Sequence, residues 1–131
     1  MSHLASGVQS VMIMTVPIRL TFKELPLSDA LRAHIEDWTA KLEHLHDGIL
    51  GCDVVVETPH KHQSRHRRFH VKIHLHLAAP ARDVVVSHDP GEDGAHDDPY
   101  VAVRDAFLAA RRQLTDAVHK LRGEVKRHAA E

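Results

Sequence analysis

Over residues 69–77 the chain alternates strictly. Phe69, Val71, Ile73, Leu75 and Leu77 are apolar, and His70, Lys72, His74 and His76 stand between them. A period of two predicts a strand with one face buried and one face wet. "IRLTFKEL" repeats the pattern, with Ile18, Leu20 and Phe22 set against Arg19, Thr21 and Lys23. "LPLSDALRAHIEDWTAKLEHL" then changes to helical spacing, placing Leu27, Leu31, Ile35 (or His34), Trp38, Leu42 and Leu45 on one stripe. Ser28 is the expected N-cap, with Asp29 in the first turn where a carboxylate suits the helix dipole, and Gly48 the expected stop. "CDVVVET" predicts a second strand closed by Pro59, "AAPAR" a tight turn, and "DVVVSH" a fourth strand whose three valines are too few to choose an inward face.

A long helix ends the pattern. Asp98 at its N-cap and Pro99 at its first position make a well-matched start. Its apolar stripe is Tyr100, Val103, Phe107, Ala110, Leu114, Val118, Leu121 and Val125. The order β-α-β-β-β-α predicts an α+β sandwich, a four-stranded sheet with two helices packed on one face. Nothing in the chain is left to cover the other sheet face, which accounts for its polar side chains.

The 131 residues suit one domain, and 43% apolar with 27% charged content is ordinary for a globular protein. A tail over 1–16 and a single domain over 17–131 are expected, with "DPGEDGAHDDP" inside an acidic loop at 87–99. The first convincing strand begins just beyond Met12 and Met14, either of which could be the true start. No apolar run approaches the ~20 residues of a membrane span, and the N-terminal segment makes a poor signal peptide. Cys52 is the only cysteine, which excludes an internal disulfide and suits a reducing, cytoplasmic setting.

The formal charge of −1 conceals segregation. Between Glu57 and Asp83 there is no acidic residue, while Lys61, Arg65, Arg67, Arg68, Lys72, Arg82 and six histidines fall there. On the last helix, steps of about 100° align Arg104, Arg111 and Arg122, flanked by Arg112, His119 and Lys126. Two basic patches in a small domain point to a polyanion, because Lys and Arg release condensed counterions on meeting phosphates. These cations are expected on one continuous side. Only 5 residues are Phe, Trp or Tyr, most of them on core stripes, so backbone or shape recognition is favoured over stacking on splayed bases.

The imidazole-lined strand has three explanations: nucleic-acid binding, metal binding, or a merely wet sheet face. His74 and His76 lie close enough to share an ion, yet zinc wants three or four ligands and no Cys-x-x-Cys or His-Glu-x-x-His is present. Catalysis has no convincing nucleophile, glycine-rich phosphate loop or dinucleotide fingerprint. Ser64 and Ser87 have histidines near them only in sequence. No enzyme activity, cofactor or small-molecule substrate is expected.

The element order, "LSDALRAHIEDWTAKLEHL" and "DPYVAVRDAFLAARRQL" resemble the ribosome hibernation promoting factor and ribosome-associated inhibitor A family over about residues 17–128. The best-matched positions are Asp98, Tyr100, Ala102 and Val103, then Arg112, Gln113 and Leu114, and "ETPHKH" resembles the short, stand-alone branch. The resemblance implies a fold like a double-stranded-RNA-binding domain and a partner in the small ribosomal subunit. It also implies binding of ribosomal RNA in the decoding cleft and silencing of idle ribosomes under stress or in stationary phase. Ribosome pairing through the C-terminal dimerisation domain of long family forms is not expected. Better-known members carry more lysines in the last helix, at places where Ala109, Asp116 and Val118 stand here. The expected phosphate contacts are Arg65, Arg67, Arg68, Lys72, Arg111, Arg112, Lys120, Arg122 and Lys126. The competing reading is a histidine-rich accessory domain that holds a metal ion or a protein partner without binding ribosomes.

Overall fold

The computed structural model describes residues 16–58, 69–88 and 98–130, with side chains described as far as Gly123. Among the described residues six elements follow in the expected order: β1 (Ile18–Lys23), α1 (Asp29–Glu43), β2 (Ile49–Glu57), β3 (His70–Leu77), β4 (Val84–His88) and α2 (Pro99–Ala130). They form a four-stranded sheet in the order β1-β2-β3-β4. β1 runs parallel to β2, the α1 crossover making this possible, and the other neighbours are antiparallel.

Alternation puts one face of the sheet in the core. Cys52, Val54 and Val56 of β2, Val71, Ile73, Leu75 and Leu77 of β3, and Val84 and Val86 of β4 are all buried. They join Leu31, Ile35 and Leu42 of α1 and Val103, Phe107, Ala110 and Leu114 of α2 in one cluster. The inward choice among the β4 valines, undecidable from three residues, is settled by register with β3. Val84 and Val86 pair with Leu75 and Ile73, which leaves Val85 outward and 59% exposed. Ala102 and Ala106 widen the α2 stripe beyond the positions expected, because their small side chains let the helix approach the core closely. Phe107 stacks on Trp38 of α1 with ring centroids 6.2 Å apart.

Ser28 caps α1 as expected, its hydroxyl accepting the Leu31 N–H at 3.1 Å. The helix stops earlier than the sequence suggested. His44 is the C-cap, its N–H bonded to the Ala40 carbonyl, and Gly48 lies beyond in the turn to β2. Leu27 and Leu45, placed on the helical stripe by spacing, lie outside the helix and are exposed. β2 begins at Ile49, ahead of the expected Cys52, and its register with β3 shifts between Ile49 and Gly51. At the start of α2, Asp98 Oδ1 accepts the Tyr100 N–H at 2.9 Å, which fulfils its N-cap role.

Two positions escaped the pattern. Val16, expected in the tail, is buried in the core. Glu24 has a positive φ of 62° where β1 turns toward α1. Its carbonyl accepts the hydroxyl of the buried Thr58 at 2.7 Å, a bond that ties the β1 exit to the end of β2. None of the described helices is long and apolar enough to cross a membrane.

Candidate nucleic-acid interface

The sheet face that no described element covers is built from the positions that alternate away from the core. The register arranges them in rows. Arg19, Asp53, His74 and Val85 form one, Thr21, Val55, Lys72 and Ser87 the next, and Lys23, Glu57 and His70 a third. β2 thus sets Asp53 and Glu57 directly beside basic positions of β1 and imidazoles of β3, where opposite charges attract across the ladder. The histidine strand is free of acid in its own sequence and is not free of acid in space. Lys72 is the exception, exposed between Val55 and Ser87.

Three histidines of β3 make specific contacts. His74 Nε2 lies 2.9 Å from Asp83 Oδ2, and His76 Nε2 lies 3.0 Å from Asp53 Oδ2. His76 Nδ1 is 3.4 Å from the same Asp83 oxygen. The hydrogen bond to Asp53 raises the His76 pKa above its ordinary value, with the Asp53 and Asp83 charges adding to the effect. Asp83 is held below the usual carboxylate range, first by the Leu77 N–H donated to it and then by His74. His70 Nε2 and Ser87 Oγ are 3.1 Å apart, an exposed cross-strand hydrogen bond.

The helix cations lie on the other layer. Arg111, Arg112, Lys120 and Arg122 are exposed on α2. Since the stripe from Val103 to Leu114 faces the sheet, these side chains leave from the flanks and back of the helix. Lys120 is separated from Arg111 and Arg122 by roughly 160–180° at about 100° per residue. It lines an open groove of about 460 Å³ with Arg82, Asp83, Gln113 and Asp116. Arg104, part of the expected arginine line, is paired with Asp105 at 3.2 Å. Lys72, Arg111, Arg112, Lys120 and Arg122 form no ion pair among the described residues.

The expected single continuous basic side is therefore not what the described residues form. The described members of the expected contact set divide between the open sheet face, which carries Lys72, and α2, which carries Arg111, Arg112, Lys120 and Arg122 and covers the opposite face of the sheet. Arg65, Arg67 and Arg68 lie outside the described residues, as does most of the acidic loop. Lys126 falls within α2, beyond the last described side chain. Sequence reasoning missed Asp53 and Asp83 as neighbours of the imidazoles. The alternation of Cys52, Val54 and Val56 could have placed Asp53 on the wet face; nothing in the pattern brings Asp83 back to His74.

Residues 18–129 match the family described as "Sigma 54 modulation protein / S30EA ribosomal protein". The fold is similar to the Protein Y N-terminal domain of Thermus thermophilus, with 22% identity and a TM-score of 0.60, over 76% of this chain and 96% of that one. It is also similar to a ribosomal subunit interface protein from Coxiella burnetii, with 18% identity and a TM-score of 0.61, over 77% and 96% of the two chains. No curated protein matches the sequence.

Proposed function

The chain belongs to the sigma 54 modulation protein / S30EA ribosomal protein family, and on that premise we propose that it is a ribosome-associated, non-catalytic factor. It binds ribosomal RNA of the small subunit in the decoding cleft and lowers translation in stressed or stationary cells, acting in the cytoplasm. The observation that carries this reading is the family match, which spans all six elements.

The distribution of charge supports it in a specific way. A protein that lay flat on RNA would need its cations on one side. A protein seated in a cleft meets phosphates on two walls, and cations on both layers of the sandwich that form no ion pair among the described residues suit that position. Lys72 would meet one wall, and Arg111, Arg112 and Arg122 the other, with Lys120 at the groove between sheet turn and helix. Arg65, Arg67, Arg68 and Lys126 belong to the same proposed contact set. Each phosphate neutralised adds about 0.7–0.9 to the slope of log affinity against log salt.

A sucrose-gradient profile of lysate from starved cells, blotted for the chain, tests the reading. The protein should travel with small subunits or whole ribosomes, and its presence there should fall as salt rises. A profile confined to the top of the gradient at low salt would refute ribosome association.

A further inference from the structure

We propose that His74, His76 and Asp83 form a binding site for a divalent transition-metal ion, with zinc the best chemical match, on the open face of the sheet. The sequence offered two imidazoles, one ligand short of any stable zinc site. The turn between β3 and β4 supplies the third by returning Asp83 to the strand that carries both histidines. One ligand atom from each of the three lies within 4.8 Å of the others.

Two of the three separations are near those the ion needs. Bonds of about 2.0–2.1 Å in a tetrahedral site put neighbouring donors about 3.3 Å apart. Asp83 Oδ2 is 2.9 Å from His74 Nε2 and 3.4 Å from His76 Nδ1. Two nitrogens and one carboxylate oxygen leave the fourth position to water. The imidazole-rich set favours zinc, nickel or cobalt over calcium and magnesium, which take oxygen ligands.

Groups behind the ligands are placed to orient them. His76 gives its Nε2 side to Asp53 at 3.0 Å, the carboxylate–histidine arrangement that fixes the tautomer of a metal-binding ring. Asp83 Oδ1 accepts the Leu77 N–H at 3.0 Å, which leaves Oδ2 aimed at the imidazoles. A neutral His76 has a single ring proton. Once that proton is given to Asp53, the Nδ1 lone pair faces the Asp83 carboxylate, two acceptors that only a cation between them can reconcile. A proton or a metal ion does so, and the two compete.

One adjustment is required. The His74 and His76 rings are stacked, with centroids 4.0 Å apart and planes 22° from parallel. A shared ion must lie near both ring planes, so one ring has to turn about χ2. That torsion is broad for histidine, and both side chains are 40% exposed, so the turn displaces water and no core atom.

Zinc titration of the full chain by calorimetry, after removal of adventitious metal, tests the site. One ion per chain is expected, with affinity at least tenfold weaker in His76→Ala and in Asp83→Asn. The asparagine keeps an acceptor for the Leu77 N–H while removing the anionic ligand. Asp53→Asn should weaken binding by about tenfold through loss of orientation, and an unchanged affinity there would remove the role given to Asp53. His60→Ala/His62→Ala, another closely spaced pair, should bind zinc like the parent. Parental affinity in Asp83→Asn, or loss confined to the His60/His62 variant, overturns the proposal. Cobalt added to the unaltered chain gives an independent reading: an intense visible band marks a four-coordinate site, and the pale spectrum of a six-coordinate ion contradicts it.

Discussion

His76 Nε2 reaches Asp53 Oδ2 at 3.0 Å along a diagonal of the β2–β3 ladder, in which His76 directly faces Gly51 and Asp53 faces His74. A Cβ added at Gly51 would sit 3.7 Å from His76 Cδ2, an ordinary van der Waals contact, so the diagonal does not depend on the glycine. Because the Asp53 hydrogen bond is the main cause of the raised His76 pKa, Asp53→Asn should bring that pKa down toward 6.5. A proton NMR titration of the imidazole measures the shift directly; an unmoved midpoint would dismiss the contact as its cause.

The same cluster sets a pH window for stability. His76, with its raised pKa, stabilises the fold below its unfolded value of 6.5, and the effect fades as pH climbs through the folded value. Asp83, with its lowered pKa, contributes above 3.8, and its effect is lost as pH falls through the folded value. The two overlap in mildly acid solution. The gap in thermal midpoint between the parent and His76→Ala should be larger at about pH 5 than at about pH 8.5.

Cys52 is fully buried, and burial pushes its thiol up to about 11, only partly offset by the Thr39 hydroxyl at 3.9 Å. The reactive species is the thiolate, so the native protein should resist a thiol reagent at neutral pH and react promptly once denatured. Rapid labelling of the native chain would mean that the β2 strand opens readily.

Phe107 is completely buried against Trp38, the rings only 15° from parallel. Phe107→Ala should destabilise the protein by about 3–5 kcal/mol through lost burial and the cavity left behind. Denaturant unfolding followed by Trp38 emission gives both the loss of stability and the altered environment of the indole.

Charges on two layers predict two partial losses. Lys72→Glu alone and Arg111→Glu/Arg112→Glu/Arg122→Glu together should each weaken ribosome co-sedimentation and lower its salt slope, the triple variant by about 2–3. Combined, they should add, since sites on opposite layers share no partners. If the triple variant pellets with small subunits like the parent, α2 is not a contact.

Much of the fold was readable because local rules and burial agree. Period-two alternation in β1 and β3, the Ser28 and Asp98 caps, and the apolar stripe of α2 each reflect a constraint carried by a few adjacent residues. The end of α1 was misread for the opposite reason. Leu45 continues the helical spacing, yet the chain leaves the helix at His44 to enter β2, and no local signal outweighs that long-range demand.

The candidate site divides the same way. Sequence determined which side chains are polar on each strand and which cations lie on each flank of the last helix, since these follow from repeat and rotation within one element. Only tertiary structure decided that Asp53 and Asp83 stand against the imidazoles, and that Lys72 and the described cations of α2 lie on different layers. Such adjacency comes from strand pairing and from which sheet face the helices cover, and both are set by burial of the shared core rather than by neighbours along the chain.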